Sequence, residues 1–219
     1  MIQKILHRVA ATAACCLVHA NGLGWVQRTA VHVSYCKTQL GASEVTDPSQ
    51  PEVWLRGPIA DCPDELQPVA HSLLQVREEI AAIAALPPEV LWARPGGAAS
   101  IGFHLRHLAG SLDRLLTYAR GDSLSAAQRE ALSEEGRNAS PEERAETLVQ
   151  AAHDAIDRAL AYVRTTPLCT LDEVRPVGRA GLPSTVLGLL FHAAEHAQRH
   201  SAQIITTVKI VTGSDAELR

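Results

Sequence analysis

Residues 100–120 have the sequence SIGFHLRHLAGSLDRLLTYAR, in which apolar residues recur at steps of three and four. That spacing places one apolar stripe along an α-helix. Ser100 is a typical N-cap and Gly121 a typical C-terminal stop, so we predict a helix that ends near Arg120. The residues predicted to face inward are Ile101, Leu105, Leu108, Leu112, Leu115 and Ala119.

Three further long segments have the same period and predict helices over residues 63–86, 140–164 and 184–211. A short polar helix is predicted over residues 125–135, and a loop rich in Pro and Gly over residues 167–183. Four amphipathic helices of this length can cover one another's apolar stripes. The predicted fold is therefore an all-α four-helix bundle.

The start of the third long helix has the clearest signal. Ser140 offers a cap, Pro141 suits the first helical position, and Glu143 suits the third. The predicted inward residues of the first helix are Leu66, Val69, Leu73, Val76, Ile80 and Ile83. Those of the third helix are Ala145, Leu148, Ala152, Ile156 and Leu160. Those of the fourth helix are Val186, Leu190, Ala193, Ala197, Ile204, Val208 and Val211.

Composition excludes several classes of protein. The net charge is −4 and no basic stripe is present, so nucleic-acid binding has no electrostatic basis in this sequence. The uncharged apolar stretches are too short to span a bilayer, so no membrane partner is expected. The five cysteines are odd in number and include no CxxC, which argues against a disulfide framework or a cysteine zinc site. A reducing, cytoplasmic location fits best.

Residues 1–52 differ in composition from the rest of the chain. Lys4 and Arg8 precede a short apolar run, which imitates a signal peptide poorly, so export is the weaker alternative. Residues 41–51 are rich in Ser, Asp, Thr and Pro, which is typical of a linker. We predict a poorly ordered N-terminal extension over 1–52, the bundle over 53–213, and a short tail over 214–219.

Five of the ten histidines occur on two predicted helices, His104 and His107 on the second and His192, His196 and His200 on the fourth. Residues four apart share one helix face, so two imidazoles there can share a cation. The helical angle places His196 and His200 closer to the apolar stripe than His192. On the second helix, the same count favours His104 over His107.

Two stretches carry a family resemblance. Residues 100–111 (SIGFHLRHLAGS) resemble the second-helix motif of the DinB-like (DinB/YfiT) superfamily, and residues 196–203 (HAQRHSAQ) resemble its last-helix HxxxH motif. The length and helix order of residues 53–211 also fit this family. Ser201-Ala202 replaces the common Arg-Gly, and Arg199 precedes the matching histidine, so the match is weaker around a substrate than at the histidines.

The resemblance implies an up-down-down-up bundle that binds a divalent metal ion, zinc or nickel above all. It implies His107, His196 and His200 as the metal ligands, with His104 as an alternate ligand or as a partner of a ligand. The expected activity is a metal-dependent transferase or hydrolase acting on a small thiol or another small molecule. The alternative is a non-enzymatic bundle stabilised by its metal, and a homodimer is compatible with either.

Overall fold

The structure is a computed structural model that describes residues 50–137 and 143–213, all within a compact unit spanning Ala42–Arg219. The predictions of an N-terminal extension and of a C-terminal tail fall almost entirely outside these residues. Within these residues, the regular structure consists of six α-helices, one strand pair and several short 3₁₀-helices. The α-helices and strands are α1 (Gln67–Glu79), α2 (Pro88–Leu91), α3 (Ile101–Ala119), α4 (Ala126–Glu134), α5 (Ala145–Thr165), β1 (Val174–Val177), β2 (Leu182–Thr185) and α6 (Val186–Thr212).

The four long helices pack in a ring. Helix α3 packs against α5 and α6, and α1 packs against the same two helices, so α1 lies diagonally across the bundle from α3. This arrangement confirms the predicted helical class. It also places α3 and α6, the two histidine-bearing helices, side by side.

The predicted apolar stripes form the core. Of the inward residues predicted on the four helices, only Leu115 and Val211 are half-buried, and all the others are buried. Leu105 and Leu108 on α3 are fully buried at the centre of the cluster. Burial of aliphatic side chains at this level stabilises a fold by roughly 1.5–3 kcal/mol for each side chain, so periodicity alone located the main source of stability.

The first helix is interrupted near its predicted end. Helix α1 ends at Glu79, and a separate turn of 3₁₀-helix follows at Ala81–Ala85. Ile80 joins the two segments and is fully buried. The apolar stripe is therefore continuous although the α-helical hydrogen bonding is not, which is why periodicity predicted one helix.

The predicted start of the third long helix is wrong at residues 143 and 144, which the structure describes and which are not helical. Ser140 and Pro141 lie outside the described residues, and α5 begins at Ala145 with Arg144 in an extended conformation. Glu143 pairs with Arg106 of α3 instead of serving the first turn of α5. A tertiary ion pair therefore takes the glutamate that the capping pattern assigned to the helix.

The predicted loop before the last helix contains a small hairpin. Strands β1 and β2 pair antiparallel, with Pro176 opposite Pro183. Gly178 and Gly181 have φ values of 68° and 59°, which the turn between the strands requires and which glycine adopts without strain. Sequence analysis missed the hairpin because four-residue strands containing proline have no clear alternation. No helix among the described residues has the length and apolar character needed to cross a bilayer.

Candidate metal centre

Helices α3 and α6 position four histidine side chains. Helix α3 is capped at its N-terminus by Ser100, whose Oγ accepts a hydrogen bond from the Phe103 amide at 3.2 Å. Helix α6 is capped by Thr185, whose Oγ1 accepts from the Gly188 amide at 3.0 Å. Because both caps precede the histidines by one turn or more, the histidines lie on regular, well-anchored helix.

Three imidazole Nε2 atoms converge between the two helices. The Nε2 atom of His196 lies 3.0 Å from Nε2 of His107 and 3.2 Å from Nε2 of His200. One nitrogen from each of the three rings lies within 4.8 Å of the other two, a grouping that could hold a metal ion. The three histidines implied by the resemblance are therefore brought together, two from one turn of α6 and one from α3.

Burial keeps two of these three imidazoles neutral. It lowers the pKa of His200 to about 3, with further lowering from the neighbouring His107 and His196. Burial, followed by the proximity of His107, also lowers the pKa of His196. A neutral imidazole has a lone pair to offer a cation, whereas imidazolium has none. His196 and His200 are therefore unprotonated at neutral pH.

His104 belongs to the cluster but contacts it through a different atom. Its Nδ1 lies 2.9 Å from Nδ1 of His200, which is the ring nitrogen of His200 not directed at the three-atom group. His104 is buried, and burial lowers its pKa. His104 is more deeply buried in the bundle than His107, in agreement with the periodicity of α3. However, its Nδ1 contacts Nδ1 of His200, on the side of that ring that faces away from the three Nε2 atoms.

Sequence analysis missed Glu135, which is directly bonded to His107. Glu135 Oε2 lies 2.7 Å from Nδ1 of His107, and Glu135 Oε1 accepts from Arg114 Nη1 at 2.5 Å. Burial of Glu135 would raise the pKa of its carboxyl, but the hydrogen bonds from His107 and Arg114 bring the pKa below its usual value. Glu135 directly follows the polar helix α4, where no periodic signal marks a buried residue.

Three other polar residues near the histidine-bearing helices bond away from the cluster. Asp113 accepts from Gln128 Nε2 at 2.7 Å. Glu195 pairs with Arg199 and with the exposed His192. His153 is half-buried, and its Nε2 lies 2.9 Å from the carbonyl oxygen of Arg77.

The hydrogen bonds around the cluster leave ring nitrogens that can bind a cation. They do not pair every ring nitrogen with a donor or an acceptor. Since the ionised Glu135 can only accept, Nδ1 of His107 donates to it, and Nε2 is the nitrogen that this ring can offer to a cation. Nδ1 of His196 is buried and has no hydrogen-bond partner among the described residues. With the proton on that nitrogen, Nε2 of His196 presents a second lone pair to the same point. A set of three imidazoles suits zinc, nickel, copper or iron.

A cavity of about 510 Å³ lies beside the cluster. Two of its lining residues, Phe103 and Glu135, also contact His107, Phe103 by stacking its ring parallel to the imidazole. The remaining lining residues are Trp92, Arg94, Ala99, Ser100, Gly136 and Arg137. A volume of this size is typical of pockets that take small molecules.

A family model described as the DinB superfamily matches residues 72–204, which is more than half of the chain. The protein therefore belongs to the DinB superfamily. The match spans the chain from α1 into α6 and includes all four clustered histidines. The sequence matches no curated protein.

Proposed function

We propose that this DinB-superfamily protein binds one divalent metal ion, zinc or nickel, through Nε2 of His107, His196 and His200. The observation that carries the proposal is the convergence of these three Nε2 atoms from two adjacent helices. The up-down-down-up arrangement and a cytoplasmic location belong to the same proposal, supported by the family match and by the cysteine content.

We further propose that the bound metal serves a transferase or hydrolase reaction on a small thiol or another small molecule. A cation on three imidazoles keeps positions free for other ligands, and it would lower the pKa of a water or thiol that binds there. The protein's own contribution is to hold the three nitrogens in place, to keep His196 and His200 unprotonated and to enclose the group in a largely buried site. The cavity beside His107 supports a small molecule as the reacting partner.

The alternative is a bundle whose metal serves only stability. A fourth imidazole on the metal would favour that alternative, because structural sites are closed by four ligands. His104 is the residue that could close the site, and its Nδ1 is engaged with Nδ1 of His200. This contact supports the open site of an enzyme over the closed site of a structural metal.

Elemental analysis of the purified full-length protein tests the metal proposal. The expected result is about one metal per chain in the wild type, with little or none in His107→Ala, His196→Ala and His200→Ala. His192→Ala is the matched control, since His192 lies one turn before His196 on the same helix but is exposed. A wild type free of metal after incubation with zinc and with nickel would overturn the proposal.

The enzymatic part needs a separate assay. The metal-loaded protein is expected to accelerate transfer from electrophilic substrates to small thiols, or hydrolysis of activated esters and amides. The His200→Ala variant is expected to lack this activity, whereas His192→Ala retains it. Metal that raises the melting temperature without turnover of any substrate in such a panel would favour the structural alternative.

A further inference from the structure

We propose that Glu135 is a positioning residue for the metal, acting through His107, and that Arg114 holds its carboxylate in place. The inference rests on the metal-binding function proposed above and adds a residue from outside the four long helices. Glu135 touches neither of the other two proposed ligands, so its effect would pass through one imidazole only.

The contact geometry supports this role. Nδ1 of His107 and Oε2 of Glu135 are 2.7 Å apart, a short distance that is typical of a hydrogen bond to a charged acceptor. The carboxylate cannot donate, so it selects the tautomer of His107 that carries the proton on Nδ1. That tautomer directs the lone pair of Nε2 at the cluster. Metal-ligating histidines commonly have such a carboxylate, which raises the basicity of the ring and fixes its orientation.

Arg114 anchors the carboxylate from the far side. Its Nη1 donates to Oε1 of Glu135 at 2.5 Å and its Nη2 to Oε2 at 3.4 Å. The two side chains are only 10% and 8% exposed, so the pair is little screened by solvent. Arg114 lies two turns after His107 on α3, so the carboxylate is held between two residues of one helix.

Gly110 makes room for this contact. A Cβ atom at Gly110 would lie 2.2 Å from Oε1 of Glu135 and 2.7 Å from Nη1 of Arg114, both well inside van der Waals contact. Any side chain at position 110 would therefore force the Glu135 carboxylate, the Arg114 guanidinium or both to shift. The sequence thus offers two independent ways to break the contact, by removing the carboxylate or by filling the space it occupies.

Helix α4 delivers Glu135 to the site. Gln128 on α4 donates to Asp113 Oδ2 at 2.7 Å and to Thr117 Oγ1 at 2.8 Å, which ties α4 to α3 on either side of Arg114. Glu135 then follows the last residue of α4 and is buried. An accessory helix outside the ring of four thereby completes the surroundings of His107.

The three proposed ligands differ in the hydrogen-bond partner of their Nδ1 atoms. His107 has a charged acceptor, His200 has the neutral ring of His104, and Nδ1 of His196 has no partner among the described residues. His107 is therefore the ligand whose donor strength the protein raises most. A variant at Glu135 is expected to weaken the metal site more than one at His104.

Zinc affinity, measured by competition with a chromophoric chelator on the full-length protein, tests the inference. Glu135→Gln and Gly110→Ala are each expected to bind zinc about 10–100-fold more weakly than the wild type. Glu134→Gln is the matched control: it removes the neighbouring carboxylate, which pairs with Arg137 and not with a proposed ligand, so its affinity is expected to stay close to that of the wild type. Circular dichroism establishes that each variant is folded.

Heteronuclear NMR of the imidazole rings in metal-free protein gives a second readout that a purely structural role would not change. His107 is expected to carry its proton on Nδ1 in the wild type and to lose that preference in Glu135→Gln and Gly110→Ala. Zinc affinity unchanged in both variants, or a wild-type His107 protonated on Nε2, would overturn the inference. A wild type that binds no zinc or nickel would instead overturn the proposed function itself.

Discussion

The Nδ1 atoms of His104 and His200 lie 2.9 Å apart, so one of these nitrogens carries a proton and the other a lone pair. His200 directs its Nε2 at His196 and therefore needs its lone pair there if it is to bind a metal. Its proton then lies on Nδ1, and His104 is the acceptor. His104 thereby acts on the cluster by orienting His200, while His107 contributes an atom directly.

This relationship predicts different outcomes for the two histidines of α3. His104→Ala is expected to retain the metal with affinity lowered about 10-fold, less than in Glu135→Gln, because only the orientation of His200 is lost. His107→Ala is expected to lose the metal, because a ligand is removed. His104→Gln can still accept a hydrogen bond and is expected to recover part of the affinity. Chelator competition measures all three, and a His104→Ala protein that is metal-free beside a metal-loaded His107→Ala would reverse the assignment.

The buried histidines also predict how the stability of the metal-free protein depends on pH. Burial lowers the pKa of His104, His196 and His200, the last to about 3, so the folded state binds fewer protons than the unfolded state in mildly acidic solution. Stability therefore rises with pH through this window and falls as the pH drops below about 6.5, the usual value for histidine. Each such group contributes a slope of at most about 1.4 kcal/mol per pH unit.

Chemical denaturation of metal-free protein between neutral pH and the pKa of His200 measures this slope. His200→Gln removes one titrating group and is expected to have a shallower dependence than the wild type. Thr206→Gln is the control, since Thr206 is exposed on the same helix and has no titrating group, so its substitution should leave the slope unchanged. Equal slopes in the wild type and His200→Gln would contradict the prediction.

We expect the contacts of Arg106 on α3 with Arg137 and Glu143 to stabilise the folded protein. The Arg106 guanidinium pairs with both carboxylate oxygens of Glu143, donates through Nη1 to the carbonyl oxygen of Arg137 at 3.1 Å, and lies 4.6 Å from the Trp92 ring centre. The ion-pair side chains are only 18% and 22% exposed. A double-mutant cycle with Arg106→Ala and Glu143→Ala is therefore expected to give a coupling of about 1 kcal/mol.

The matched control is the ion pair between Arg120 and Asp122, whose side chains are 45% and 64% exposed. Its coupling is expected to be below about 0.5 kcal/mol, because water screens exposed pairs. Denaturant unfolding measures both cycles. If the coupling free energy of Arg106 and Glu143 is no larger than that of the control, the pair stabilises the folded protein no more than an exposed ion pair does.

Periodicity was sufficient for the helical class because burial of the long helices follows one face of each. Leu73 and Ile156 were assigned inward from spacing alone and are almost fully buried. The short helix predicted over residues 125–135 depends on equally local contacts, the capping box of Ser125 and Gln128. Glu143 was misassigned, since its capping role competes with a tertiary partner that spacing does not reveal.

What the sequence alone determined is the set of relationships within a helix. His196 and His200 are four residues apart on a predicted helix, so they share a face whatever the helix packs against. The choice between His104 and His107 could not be made in this way. Periodicity favoured His104, which is the more deeply buried, and only the family resemblance favoured His107.

The tertiary structure decided which atoms meet. The rotation of α3 against α6 depends on the packing of the whole interface, and it directs Nε2 of His107 at His196 while His104 contacts the back of the His200 ring. Glu135 reaches His107 only because α4 docks on α3, a contact between residues far apart in the chain. One-dimensional spacing describes a single helix face, whereas a site shared by three helices depends on their mutual orientation.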